Sequence, residues 1–119
     1  MNKHEKINYL ELPSKDIKKT KEFFSAVFDW TFEDFADEYT AFSDGVLKGG
    51  FFKSDLKCTM RNGSALIVFY SSNLEETQIK IEKAGGVIVN EIFAFPGGRR
   101  FHFSDPTGNE YAVWSDLGI

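Results

Sequence analysis

The stretch Gly97–Asp116, GGRRFHFSDPTGNEYAVWSD, decides how this chain is read. Two apolar-rich runs, Arg99–Ser104 and Glu110–Ser115, flank the segment Asp105-Pro106-Thr107-Gly108-Asn109. Pro106 fixes φ, Gly108 permits positive φ and Asn109 tolerates the left-handed region, so the chain reverses and the runs pair as a hairpin. The hairpin gathers two arginines, one of the two histidines and a tryptophan onto a sheet.

Working back from it, Ser64–Tyr70 (SALIVFY) reads as an apolar strand and Asn73 as a helix cap, with Glu76 placed to complete a capping box. Leu74, Thr77, Ile81 and Ala84 form the buried stripe of that helix, and Gly85-Gly86 supplies its stop. Val87–Asn90 is the next strand, with a continuation through Phe93 left open, and Gly97-Gly98 reads as a turn. The first half repeats this pattern. Ile7–Leu12 is a short strand stopped by Pro13, and KDIKKTKEFFSAVFDW is a helix that buries Ile17, Thr20, Phe24, Val27 and Phe28. Asp16 or Ser14 caps it and Asp29 ends it, while Lys15, Lys18, Lys19 and Lys21 read as a solvated face. Strands follow at Trp30–Phe35, Tyr39–Ser43 and Val46–Phe52, the last two joined at Asp44-Gly45. The order is β-α-β-β-β twice, and YTAFSDG at Tyr39–Gly45 echoes RFHFSDPTG at Arg100–Gly108. Each half alone would expose an apolar sheet face, so the two are expected side by side, as one continuous curved sheet under two helices. The expected organisation is a single domain over residues 1–119: a first module at about 5–53, a polar linker at 54–63 and a second module at 64–116.

Composition narrows the function classes. At 119 residues the chain is long enough to bury roughly two thirds of its unfolded surface. Thirteen phenylalanines imply a core or a pocket rich in flat rings. A net charge of −4 provides no electrostatic attraction to nucleic acid or to an anionic membrane. Cys58 is the only cysteine, so no internal disulfide forms; it reads as a loop or edge thiol without a catalytic base. No run approaches the roughly 20 apolar residues that span a bilayer, and the N-terminus lacks a signal peptide's pattern. A cytoplasmic location is expected.

The segments INYLELPSKDIKKTKEFFSAVFDW, NLEETQIKIEKAGG and PGGRRFHFSDPTGNEYAVWS together resemble the glyoxalase/bleomycin-resistance/dioxygenase superfamily, the vicinal oxygen chelate proteins. The likeness is to its small, single-domain, glyoxalase-related members. It implies an α+β fold of two βαβββ modules forming an incomplete barrel around a pocket, usually in a homodimer. Metal-dependent members place four ligands there, and carrying those positions over gives Tyr9, a residue near Gly49 or Gly50, Leu66 and Ala112. None is a normal ligand of a divalent metal, which takes imidazole, carboxylate or thiolate. The expectation is therefore no metal and no cofactor.

The same carry-over sets the strand faces. If Tyr9, Leu66 and Ala112 look into the cavity, alternation adds Glu11, Ser64, Val68, Tyr70, Glu110 and Trp114. Burying Phe101 and Phe103 under a helix turns Arg100 and His102 inward. Arg100 is suited to a carboxylate or phosphate, and His102 or Glu11 to moving protons. Tyr9, Trp114 and Phe52 supply aromatic walls, and Leu66, Tyr70, Glu110 and Ala112 complete the expected substrate-binding set. A plainer reading stands beside it: Arg100 in a structural ion pair, His102 a satisfied sheet histidine, the aromatics core packing. Three functions follow, in this order. One is a metal-independent lyase or isomerase with Glu11 or His102 as base. Next comes a non-catalytic protein that sequesters a small molecule, as the bleomycin-resistance branch does. A metal-dependent glyoxalase or dioxygenase ranks last.

Overall fold

A computed structural model describes residues 2–117. The first module runs β1 (Tyr9–Ser14), α1 (Ile17–Phe28), β2 (Thr31–Asp34), β3 (Tyr39–Ser43) and β4 (Lys48–Lys53). The second runs β5 (Ile67–Tyr70), α2 (Leu74–Lys83), β6 (Val87–Phe95), β7 (Gly98–Ser104) and β8 (Glu110–Ser115). Each forms a four-stranded sheet, ordered β1-β4-β3-β2 and β5-β8-β7-β6. In each sheet the first strand lies parallel to the last and the other pairs are antiparallel. This is the α+β arrangement of paired βαβββ modules.

The repeat holds down to single hydrogen bonds. Asp16 caps α1 by accepting from the Lys19 N–H, and Asn73 caps α2 by accepting from the Glu76 N–H. The cap's own N–H donates to the hydroxyl of Ser14 in one module and of Ser71 in the other. Those serines in turn meet Thr20 and Thr77, each at 2.7 Å. The N–H that a capping-box Glu76 would hold is thus held by Ser71 instead. Asp29, in the left-handed region at φ 59°, ends α1 as expected.

The core is a layer of rings between α1 and both sheets. Phe24 stacks on Trp30 at 4.4 Å and meets Phe51 of the first sheet and Tyr111 of the second, at 5.7 and 5.4 Å. Phe28 stacks on Phe69 at 4.2 Å, and Phe23 packs on Phe103. Phe23 lies outside the stripe expected for α1; it is buried because the helix serves two sheets and needs a wider apolar face. Two such ring contacts add about 0.5–1.5 kcal/mol each beyond area burial.

Several boundaries differ from expectation. β1 continues through Pro13 to Ser14. The Pro13 carbonyl points away from β4, accepting from Asn109 Nδ2 at 2.7 Å, so its ring nitrogen lies at the free edge and no ladder bond is lost. β6 extends to Phe95, with two register shifts that absorb its curvature. The sheets are also not continuous, because no ladder joins β1 to β5. The modules meet through α1's rings and through the Asp105–Asn109 turn. There the buried Asp105 carboxylate accepts from the Thr107 and Asn109 N–H groups and from the Thr107 and Tyr111 hydroxyls. Asn109 donates to Pro13 and accepts from the Cys58 N–H at 2.9 Å.

Asn109→Ala leaves a buried carbonyl and an N–H unpaired and should cost about 1–3 kcal/mol, measured by urea unfolding. Asn109→Asp retains the acceptor for Cys58 but not the donor to Pro13 and should recover only part of this.

Candidate functional site

Alternation along each strand divides the side chains cleanly. Leu12, Phe101, Phe103, Tyr111 and Val113 lie in the helix-covered core, with Leu10, Ile67 and Phe69 packed against it. The opposite, open face carries the chemistry, in two clusters.

On the first sheet, Tyr39, Glu11 and Tyr9 form a chain. The Tyr39 hydroxyl donates to Glu11 Oε2 at 2.9 Å and lies 2.6 Å from the Tyr9 hydroxyl. A phenol has one proton, so Tyr9 is the donor to Tyr39, and Glu11 terminates the chain as a carboxylate acceptor. Burial, then the bonds to Tyr9 and Glu11, push the Tyr39 phenol well above its ordinary value. Gly50 makes the room: a Cβ there would overlap the Tyr39 ring. Gly49 points the other way, toward Leu10 and Phe42, so Gly50 is the position that faces the cluster. Phe52 stands beside Tyr39 in register. The sequence does not mark out Tyr39, because nothing there shows that Gly50, the partner of Glu11 on the adjacent strand, leaves space for a phenol.

On the second sheet, His102 is buried between Arg100 and Glu110. Arg100 Nη2 is 3.0 Å from His102 Nε2, and His102 Nδ1 is 3.1 Å from Glu110 Oε2. A guanidinium only donates, so Nε2 must accept and Nδ1 must carry the proton toward Glu110. This sets the imidazole neutral, in one tautomer, with both nitrogens engaged. Glu110 Oε1 accepts in addition from the Met60 N–H, tying the linker to the cluster.

Arg100 itself lies over Phe93 and Phe95, 6.0 and 5.8 Å from the ring centroids. Its Nε is buried without an acceptor, and among the described residues no carboxylate lies within ion-pair distance of it. Arg99, on the other face, pairs with Glu75 at 2.7 Å. Trp114 faces Arg100 in register and packs against Phe95 and, edge-on at 5.2 Å, against Tyr70. The Tyr70 hydroxyl donates to Asp116, whose bond raises the phenol's pKa. Ala112 is fully buried between its register partners Val68 and His102, and Leu66 is half-buried just before β5. Phe93 and Phe95 were legible as a Phe-x-Phe alternation, but only once β6 extends past Asn90.

Among the described residues no hydrogen bond joins the two clusters, so Glu11 and His102 are not brought into contact. The family's metal positions do not fit a metal here: Tyr9 is bonded to Tyr39, Gly50 has no donor, and Leu66 and Ala112 are apolar. No three His, Cys, Asp or Glu side chains among the described residues group as a metal site. No helix of the described residues is long and apolar enough to cross a membrane.

The family model of the Glyoxalase/Bleomycin resistance protein/Dioxygenase superfamily matches residues 6–113. Among solved structures, the fold is similar to a glyoxalase-related enzyme from Fulvimarina pelagi, with TM-score 0.78 and 14% identity over 93% of this chain and 88% of that one. It is similar to the genomically encoded fosfomycin resistance protein FosX from Listeria monocytogenes, with TM-score 0.77 and 19% identity over 96% and 93%. Lactoylglutathione lyase from Agrobacterium tumefaciens gives TM-score 0.69 and 17% identity over 93% of each chain. No match is found among curated proteins.

Two solution measurements check this geometry. Long-range 1H–15N correlation should show His102 with a protonated Nδ1 and a bare Nε2 at pH 7, and Glu110→Gln should disturb that pattern. Tyr39 and the fully buried Tyr111, raised mainly by burial and then by Asp105, hold their protons in the folded chain above the ordinary tyrosine value of 10.0. Their contribution to stability is complete below that value and is lost as pH rises toward their folded values. Urea midpoints should therefore fall above about pH 10, and Tyr39→Phe should reduce the fall.

Proposed function

The chain belongs to the Glyoxalase/Bleomycin resistance protein/Dioxygenase superfamily, and from that premise we propose that it binds a small organic anion with an aromatic body on the open face of the β5–β8 sheet, without a metal. The observation that carries this is Arg100: a half-buried cation with no carboxylate partner among the described residues, flanked by Phe93 and Phe95 and held by a histidine that can only accept from it. Charge-assisted bonds from a guanidinium to a carboxylate or phosphate are roughly twice as strong as neutral ones. Phe93, Phe95, Trp114 and Tyr70 offer flat apolar contact beside it. His102 and Glu110 act as positioning residues for the guanidinium, and His102 has no spare lone pair for a general base. Binding without turnover, as in sequestration, follows most directly.

A lyase or isomerase reading rests on Glu11, whose carboxylate ends the Tyr9–Tyr39 chain and has its Oε1 available to take a proton. Val68, Tyr70 and Phe93 leave 42, 52 and 41% of their surface exposed on the same face, which supports a homodimer in which the second copy closes the site.

The test is a thermal-shift comparison of benzoate and phenylphosphonate with neutral benzyl alcohol, with and without EDTA, followed by His102 and Trp114 side-chain resonances. The anions should raise Tm and move both resonances, unaffected by EDTA, and Arg100→Gln should weaken binding at least about tenfold, or 1.4 kcal/mol. Equal response to the neutral compound, or anion-induced shifts at Trp114 that survive Arg100→Gln, would overturn the proposal. Turnover lost in Glu11→Gln with binding intact would select the enzymatic reading, and light scattering at dimer mass would support the paired copy.

A further inference from the structure

On the helix side, away from the face just described, α1 and the Asp105–Gly108 turn enclose a cleft of about 720 Å³, within the range of small-molecule sites. One stripe of α1 (Lys19, Glu22, Phe23, Ala26), continued back by Lys15, forms one wall. Ala84, Gly85 and Val87, which follow α2, and Pro106 of the turn form the other, and Lys57 of the linker closes the end. The walls are therefore apolar and the rim is cationic.

The lysine run of α1, expected as a solvated face, divides in two. Lys21 pairs with Asp34 at 2.8 Å. Lys15 and Lys19 instead converge on the cleft with Lys57, and among the described residues none of the three has a carboxylate within 4.0 Å. The cleft's acids do not balance them. Asp105 is occupied by its four donors, which leaves Glu22 alone against three lysines. Like charges gathered without a counter-charge repel one another, and in a chain of net charge −4 this is a local reversal of sign.

Lys57 is held there by the fold. Its stem lies on Gly108, where a Cβ would approach Lys57 Cδ and Cε to 2.9 Å. Its backbone is fixed by Asn62 Nδ2 donating to the Lys57 carbonyl at 3.1 Å and by the neighbouring Cys58 N–H bonded to Asn109. The turn that joins the modules thus also sets the third cation of the cleft.

We propose that this cleft is a second binding site, for a small molecule that joins a multiply charged anionic group, such as a phosphate monoester, to a flat apolar body. The lysines take the charge and the wall of Phe23, Ala26, Ala84, Val87 and Pro106 takes the body. Neither part suffices alone, since exposed ammonium–phosphate contacts in water are individually weak.

The probe is 1-naphthyl phosphate, followed by its own fluorescence, with 2-naphthol and inorganic phosphate as the separated halves. Naphthyl phosphate should bind at least tenfold tighter than either half and shift the Gly85 and Gly108 amides. The variant Lys15→Gln/Lys19→Gln/Lys57→Gln should weaken it at least tenfold, and Ala26→Leu, which fills the wall at an exposed position, should weaken it as well. The titrations are made in the Arg100→Gln background, which removes the open-face site, and the Gly85 and Gly108 amides report on the cleft alone. In that background, Gly85 and Gly108 shifts that survive the triple variant, or that inorganic phosphate matches at the same concentration, would each overturn the proposal. Because all these positions are exposed or half-buried, unchanged melting temperatures serve as the control for folding.

Discussion

The carboxylate of Asp105, fully buried, accepts four hydrogen bonds from within its own turn and the strand that follows. That saturation makes the turn rigid, and the rigid turn holds Asn109 out as a strut between β1 and the linker. Buried amide and carboxylate groups are tolerated only when so fully paired, because an unpaired one costs about 1–3 kcal/mol. Much of the molecule depends on this local constraint. No ladder joins the two sheets, so their relative placement rests on the Asn109 strut and on the rings of α1.

A helix that seals two sheets at once needs apolar side chains around a wide arc, which is why Phe23, Phe24, Val27 and Phe28 all face inward. With every sheet's helix-side face so occupied, the open faces are freed from packing duty. Polar residues accumulate there in hydrogen-bonded groups: Tyr9–Tyr39–Glu11 on one sheet, Arg100–His102–Glu110 on the other. Within the second group the histidine is the least free member. Its buried ring is bonded at both nitrogens, and what it contributes is the orientation of a cation that has no carboxylate opposite it among the described residues. In the binding reading proposed above, Arg100 and the rings around it make the contacts on this face.

Much of this was legible in the chain. The Asp-Pro-Thr-Gly-Asn turn, the doubled β-α-β-β-β order and the residue types at the carried-over metal positions are local or periodic features, and the alternation that turned Arg100 and His102 away from Phe101 and Phe103 is a two-residue period read directly. What was not legible depended on neighbours distant in sequence. Tyr39 enters the first cluster because Gly50, on the adjacent strand, has no side chain to displace it. Phe93 and Phe95 join the second because two register shifts carry β6 further than its composition suggests. Lys15 and Lys19 looked like solvent-facing charges on their own helix, and only the approach of Lys57 and the turn makes their direction meaningful.

The sequence by itself determined the architecture: which residues are apolar, at what period, and where glycine, proline and asparagine force the chain to reverse. These are properties of neighbouring residues, and backbone sterics and burial act on them without reference to the rest of the fold. Only the tertiary structure decided the chemistry. Whether Arg100 has a partner, which nitrogen of His102 holds its proton, and which lysines converge are set by hydrogen-bond and charge distances of a few ångströms between strands and helices far apart in the chain. Side-chain chemistry changes with such distances, whereas the strand and helix periods do not.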